Sequence, residues 1–391
     1  MHGADSAPTV EAWSVLLRAP GLGPVALRDL IERHGGPAAA LAAARRGDLP
    51  NTIDPACRNW LDAPDRAQLT RDREWVAAAG HHLLTFGDAD FPPLLREIPA
   101  APAALFVSGD VGRLWLPQVA IVGSRSASQS GIATARSFAR ALALAGFAIT
   151  SGLADGIDGA AHAAALDAGG TTIAVLGTGP DLVYPSRHRE LAGRIEADGA
   201  QVSEFAPGTP GRASNFPRRN RIIAGLSLGT LVVEASLHSG SLITARHAAE
   251  QGREVFAVPG SIHNPLARGC HELIRNGAKL VETAEEIITD LRPLAEALGA
   301  QLRARLAVSD VPQGAVAPAS ILPHARSRDR DYDTLLAALG HDPLGIDELV
   351  ERTGLSAAAL SSMLLVLELE GEVVAASGGI YARAVRGALS R

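Results

Sequence analysis

Gln118-Val-Ala-Ile-Val-Gly-Ser-Arg-Ser126 decides the fold. A short apolar run rich in β-branched residues reads as a buried strand, and the small residues after it end that strand abruptly. The same grammar recurs downstream. Phe147-Ala-Ile-Thr runs into Ser151-Gly-Leu-Ala-Asp-Gly-Ile-Asp158, and Gly229-Thr-Leu-Val-Val-Glu-Ala235 runs on towards Ser239-Gly-Ser-Leu-Ile-Thr244. Each loop opens a segment that reads as a helix. A parallel sheet collects such turns on one edge, where helix N-termini and backbone N–H groups bind anions. The repetition predicts an extended phosphate-binding surface, with Arg125, Arg218, Arg219 and Arg221 in the same region.

Working outward, strands are expected at Val119–Val122, Ala148–Thr150, Thr172–Leu176, Gln201–Ser203, Thr230–Val233, Val255–Val258 and Lys279–Val281. Helices are expected at Ile132–Ala145, Asp158–Ala168, Ile243–Gln251 and His271–Asn276. Short strands alternating with helices imply βαβ units: a doubly wound, extended Rossmann-like parallel sheet of the α/β class spanning 118–293. Residues 1–70 read as a small helical domain, with Gly21-Leu-Gly23 between two helices in the outline of a helix-hairpin-helix or SAM-like unit. Residues 71–117 read as a connecting layer with a helix at Arg71–Ala79 and strands at Leu83–Phe86 and Leu105–Gly109. An Ala-, Arg- and Pro-rich linker is expected at 294–330. A winged-helix outline follows at 331–391: helices at Tyr332–Leu339, Ile346–Thr353 and Ser356–Glu370, then a hairpin. The last of those helices carries no Arg, Lys, Asn or Gln, so it is expected to make a protein contact rather than to read DNA.

The chain has 391 residues and a net charge of −6, which by itself argues against a nucleic-acid partner. The distribution removes that objection: residues 331–391 hold nine acids and four bases, leaving the rest at −1. Lys279 is the only lysine, so every other fixed cation is an arginine, suited to bidentate phosphate contact. Aromatics make up only 4%. Two cysteines, Cys57 and Cys270, form no disulfide framework or metal spacing and fit a reducing cytoplasm. The N-terminus lacks the charged and apolar regions of a signal peptide, and no apolar run has membrane-spanning length.

The first loop is not the dinucleotide fingerprint, because Arg125 stands where G-x-G-x-x-G needs its second glycine. That places a guanidinium beside serines and backbone donors, which suits a sugar-phosphate backbone. Asp158 and His162 share a helix face, and the expected roles are a helix cap and a buried hydrogen bond. Phe216-Pro-Arg-Arg-Asn-Arg221 is expected to open a helix that faces outward with cations, with Phe216 and Tyr184 available to stack on bases. Ser239-Gly-Ser241 before a helix makes a nest for an oxyanion, and Glu234 at a strand end is placed to accept from a sugar hydroxyl or a base edge. No Ser–His–Asp arrangement or metal cluster stands out, so neither a catalytic residue, a cofactor nor a metal is expected.

These residues are similar to the DNA-processing protein A (DprA/Smf) family. The likeness is carried by Ala120-Ile-Val-Gly-Ser-Arg-Ser126, Ser151-Gly-Leu-Ala-x-Gly-Ile-Asp158 with His162, Thr172-Ile-Ala-Val-Leu-Gly177 with Tyr184-Pro185, Ser203-Glu-Phe205, Phe216-Pro-x-Arg-Asn-Arg-Ile-Ile223, Val233-Glu-Ala235 with Ser239 to Ala245, Arg253 to Ser261, and Gly269-Cys-His271. The resemblance implies a non-enzymatic, dimeric, cytoplasmic protein that binds and protects single-stranded DNA and loads RecA recombinase during natural transformation and competence. The DNA contacts it and the loops together predict are Gly123, Ser124, Arg125, Ser126, Gly152, Arg218, Arg219, Asn220, Arg221, Glu234, Ser239, Gly240, Ser241 and Thr244. Two positions depart from the family's usual basic residues: Asp155 and His238. Both take positive charge from the groove, and a His238 contact would strengthen binding as pH falls. A second reading is a nucleotide-processing enzyme of the lysine-decarboxylase-like phosphoribohydrolase type, with Glu234 as its acid. That type's Pro-Gly-Gly-x-Gly-Thr turn is not found.

Overall fold

The computed structural model describes residues 7–49 and 55–309, and in the C-terminal part 335, 338–339, 344–355, 360, 363–364, 367, 373–376 and 380–383. The chain divides into two compact units, Met1–Val311 and Pro312–Arg391.

At the centre of the first unit lies the strand Gln118–Val122, buried along its whole length. Its alternation serves two cores. Val119 and Ile121 face one layer, and Ala120 and Val122 face the other. Numbered along the chain, the sheet strands are β1 (His81–Thr85), β2 (Ala104–Gly109), β3 (Gln118–Val122), β4 (Ala148–Ser151), β5 (Thr172–Val175), β6 (Ala200–Ser203), β7 (Gly229–Val232), β8 (Glu254–Ala257) and β9 (Lys279–Leu280). They form one nine-stranded sheet in the order β1-β2-β6-β5-β4-β3-β7-β8-β9. From β6 to β9 all pairs are parallel, as the strand–helix alternation predicts. The strands read as a connecting layer instead join the sheet, β2 lying antiparallel on β6 and β1 antiparallel on β2. Strand order reverses between β3 and β7, which makes that pair the topological switch point where α/β sheets open a crevice.

Among the described residues five helices precede the sheet: α1 (Ala7–Arg18), α2 (Pro24–His34), α3 (Pro37–Arg45), α4 (Pro55–Asp62) and α5 (Arg66–Val76). α5 starts well before Arg71, because the Asp65 side chain caps it by accepting from the Ala67 and Gln68 N–H groups. Leu16, Leu30, Leu61 and Leu69 pack with Leu83, Ala104 and Phe106, so the helical layer shares a core with β1 and β2. Arg18 ties the two parts by donating to Asp72 and to the Pro207 carbonyl, the latter at 2.6 Å.

After the short α6 (Pro93–Arg96), the crossover helices are α7 (Gln129–Leu144), α8 (Ile157–Asp167), α9 (Arg189–Asp198), α10 (Asn215–Leu226), α11 (Ser241–Glu250) and α12 (Arg268–Arg275). α7 buries Ala135, Phe138, Ala139 and Leu142, a helical stripe that meets Ala161 and Ala165 of α8. α10 packs Ile222, Ile223 and Leu226 on the opposite core, with Ala245 and Cys270. The final helix, α13 (Ala284–Ser309), carries Ile287 and Leu291 back onto the α7–α8 side and continues through Pro293 into the stretch read as a linker. No helix among the described residues is long and apolar enough to cross a membrane.

In the second unit, β10 (Leu344–Gly345), β11 (Val373–Ala376) and β12 (Ile380–Arg383) form an antiparallel sheet in the order β10-β12-β11, beside α14 (Ile346–Thr353). Leu335, Leu339, Leu349, Leu360, Leu364, Leu367 and Val373 share its buried core. The helices expected at Tyr332–Leu339 and Ser356–Glu370 lie largely outside the described residues.

Candidate nucleic-acid interface

A cleft of ≈ 640 Å³ opens above the C-terminal ends of β3 and β7. Its lining draws on five segments: Gly123–Ser126, Ala154 with Asp158, Tyr184, Gly211 to Asn220 without Arg218, and Ser239 to Thr244. The switch point therefore unites the segments that stand apart in sequence. Arg125 and Asp158 bring opposite charges to the lining, and Arg219 adds a second cation.

The Gly123–Ser126 loop is held from both sides. Ser124 N–H donates to the Glu234 carbonyl at 2.7 Å, and its own carbonyl accepts from Ile157 N–H at 3.2 Å. Gly123 is required by close approach: a Cβ there would lie 2.6 Å from Ile157 Cγ1 and 2.9 Å from the Glu234 carbonyl. Arg125 and Ser126 project into solvent. The Arg125 guanidinium stands over the Phe216 ring at 5.3 Å, and Phe216 in turn meets Tyr184 at 5.4 Å between ring centres. Tyr184 is 52% exposed. The three form a stair of flat groups at the mouth. No carboxylate among the described residues pairs with Arg125.

The Ser239–Ser241 turn seats the N-terminus of α11 in the cleft. Its serine hydroxyls bond each other at 2.7 Å, and Asn220 anchors it by donating Nδ2–H to the Gly240 carbonyl at 3.2 Å. Thr244 lies one turn further along α11, buried in the cleft wall. A helix N-terminus beside an exposed arginine favours an anion.

The arginines of α10 do not all face outward as the sequence suggests. Arg218 and Arg221 are three apart and converge on Glu204 at the end of β6, Arg218 Nε reaching one carboxylate oxygen at 3.0 Å and Arg221 Nη2 the other. Arg221 is buried by this pairing and lies outside the cleft, whereas half of the Arg218 side chain stays exposed. Arg219 turns the other way and is 4% exposed. It donates Nη1–H to the carbonyls of Gly152, at 2.7 Å, and Val175. Burial lowers its pKa to about 10, with Asp158 opposing the shift, so it stays charged at neutral pH. Burial pushes the Asp158 carboxyl upward, against the pull of Arg219 and the Gly152 N–H. The helical period explains the split: each step along α10 rotates the side chain by about 100°.

Glu234 and Gly152 also leave the lining. Glu234 accepts from Ser128 N–H at 2.9 Å and Ser128 Oγ–H at 2.6 Å, and its carboxylate fills the space a Cβ on Gly131 would need. It fixes the start of α7, an acidic group at a helix N-terminus. Gly152 passes under the Arg219 guanidinium. Asp155 is paired with Arg187 and lies 3.4 Å from His188, which neutralises much of the charge expected to oppose binding. His238 is exposed on the neighbouring groove between α11 and α12, not in the cleft. His162 makes its buried hydrogen bond, to Thr172 Oγ1 at 2.7 Å. Among the described residues no cluster of His, Cys, Asp or Glu is arranged to hold a metal. Arg125, Phe216 and Tyr184 were each singled out in the sequence, but their meeting in one stair, across up to ninety-odd positions, was not.

Comparison with known proteins extends these observations. The family described as DNA recombination-mediator protein A matches residues 82–292, and the DprA winged helix domain matches residues 317–379. The Escherichia coli protein Smf is 44% identical over 306 residues, covering 78% of this chain and 78% of the relative. The X-ray structure of Streptococcus pneumoniae DNA processing protein A superposes with a TM-score of 0.63 at 36% identity, covering 71% of this chain and 97% of the other. A Helicobacter pylori DNA processing protein A, described for its single-stranded DNA binding mode, gives a TM-score of 0.50 at 27% identity over 55% of this chain and 96% of that one.

Proposed function

We propose that this chain, which belongs to the DNA recombination-mediator protein A family, binds the backbone of single-stranded DNA in the switch-point cleft. The observation that carries the reading is Arg125: an exposed guanidinium without a carboxylate partner among the described residues, stacked on Phe216 at the mouth of a cleft floored by a helix N-terminus. A phosphate meets Arg125 and the Gly123–Ser126 and Ser239–Ser241 loops, with Asn220 holding the second loop and Thr244 in the cleft wall beside it. A base, free to splay in a single strand but not in a duplex, meets Phe216 and Tyr184. The curated relative in Streptococcus pneumoniae carries the name DNA processing protein DprA. By that kinship the bound strand is handed to RecA during natural transformation, by a homodimer of the core, with the winged unit as a protein contact. The protein acts by binding, not by catalysis. Competition of a labelled oligo-dT by unlabelled oligo-dT and by matched duplex tests this. Single-strand preference supports the reading; equal competition by duplex overturns it. RecA filament assembly on strands coated with single-strand binding protein tests the second step, which predicts acceleration by the wild type and less by Arg125→Ala at the same protein concentration.

The phosphoribohydrolase reading needs a free acid. Glu234 is 6% exposed with both oxygens on Ser128, which favours the binding role.

A further inference from the structure

We infer that Arg219 is a positioning residue for Arg125, acting through the Gly152–Gly156 turn, and is not itself a phosphate contact. This rests on the single-strand reading of the cleft. Leu153 is the one non-glycine residue with positive φ, 56°, among the described residues. A leucine there is conformationally unfavourable and must be held by its surroundings. Its side chain is buried with Leu166, Ala174, Leu176, Ala192 and Ile195. Its backbone is clamped on every side. Arg219 donates to the Gly152 carbonyl at 2.7 Å, and His188 Nδ1 lies 3.0 Å from the Leu153 carbonyl. Asp158 Oδ2 accepts from Gly152 N–H at 3.1 Å and Ala154 N–H at 3.4 Å.

The turn presses directly on the Arg125 loop. Gly156 has φ 74°, and a Cβ there would sit 2.2 Å from the Ser124 carbonyl oxygen and 2.8 Å from that of Arg125. The next residue, Ile157, donates its N–H to the Ser124 carbonyl at 3.2 Å. Any shift of the turn therefore moves the backbone that aims Arg125. Two of the three Arg219 nitrogens are committed to this work: Nη1 serves the Gly152 and Val175 carbonyls, and Nε donates to Asn220 Oδ1 at 3.2 Å. Through Asn220 the same guanidinium also touches the residue that anchors the Gly240 turn. Arg219 thus lies between both phosphate-binding loops, in the cleft wall but only 4% exposed.

The test is anisotropy of labelled oligo-dT across a salt series for the full chain, with Arg125→Ala, Arg219→Lys, the double variant and Gly156→Ala, each checked for folding by circular dichroism. Lysine keeps a cation beside Asp158 but lacks a second nitrogen to hold Asn220 Oδ1 while the first serves the two carbonyls. Each single variant is expected to lose about tenfold in affinity and to lower the salt slope by roughly 0.7, one single-strand phosphate. The double variant is expected to lower it by that same amount, because both changes remove one contact. A double variant that falls by twice as much makes Arg219 an independent phosphate contact and overturns the inference. So does Arg219→Lys or Gly156→Ala with wild-type slope and affinity while Arg125→Ala loses both. If Arg125→Ala itself binds as wild type, the binding site is misassigned and the relay has nothing to position.

Discussion

Replacing Arg221 by alanine separates a structural cation from a DNA contact. Arg221 is nine-tenths buried at its side chain, and its partner Glu204 is 4% exposed. Arg221 Nη1 is buried without a hydrogen-bond partner, so the guanidinium relies on Glu204. Burial lowers the Arg221 pKa, with Glu204 opposing the shift. Breaking a buried ion pair costs about 3–5 kcal/mol, because the surviving charge is left unpaired. Arg218 still holds one Glu204 oxygen in the variant, which places Arg221→Ala at the lower end, about 3 kcal/mol. Arg218→Ala removes a half-exposed partner and costs about 1 kcal/mol or less. Urea denaturation reads both, as midpoint shifts at a common slope, and anisotropy with oligo-dT reads the salt dependence. Arg221→Ala is expected to lose stability and keep the wild-type salt slope. A variant with the wild-type midpoint but a slope lowered by roughly 0.7 would refute the reasoning and return Arg221 to the DNA surface.

Other perturbations probe separate parts of the site. Glu234→Gln removes the charge and one of the two oxygens that accept from Ser128, and is expected to cost about 1–3 kcal/mol in urea denaturation, through the start of α7; no loss of stability would remove Glu234 from that role. His162 donates from Nδ1 to Thr172 Oγ1, whose hydroxyl serves the Ile149 carbonyl, and its Nε2 is buried without a partner. Burial, then His188 and Arg219, lower its pKa to about 3. The unfolded chain therefore takes up this proton first, and stability falls as pH drops below about 6.5, by about 3 kcal/mol at pH 4. His162→Asn is expected to flatten that part of the pH profile, and an unchanged profile would show that His162 is not its source. Tyr184→Ala and Phe216→Leu are each expected to weaken oligo-dT binding by about 1–3 kcal/mol with the salt slope intact, since stacking releases no counterions; a lowered slope would point to a displaced Arg125 instead.

Much of this fold is legible in the chain because its strands and breakers agree. β3, β4, β6 and β8 fall within a residue of where the β-branched runs place them, and Gly146 and Gly252 terminate α7 and α11 in left-handed conformation. The addition of β1 and β2 to the sheet was hidden, since antiparallel edge pairing depends on partners distant in sequence. α9 was also missed: half of Arg189–Asp198 is charged, and only Ala192 and Ile195 are fully buried. The loops that line the cleft are visible as small-residue turns, and the switch point follows from parallel topology. The roles of adjacent arginines are not visible. Arg218, Arg219 and Arg221 are alike in sequence, and only the rotation of α10 sends two to Glu204 and one to the Gly152 carbonyl. Glu234 misled for the same reason, because its partner Ser128 is 106 positions away.

The most direct test of the central claim is to locate the strand on the protein. An oligo-dT carrying 5-iododeoxyuridine, photocrosslinked to the full chain and mapped by mass spectrometry, should mark peptides containing Tyr184 or Phe216, and unlabelled oligo-dT should suppress those crosslinks. Crosslinks confined to other surfaces, with the Tyr184 and Phe216 peptides unmodified at saturating strand, would contradict the placement of single-stranded DNA in the switch-point cleft.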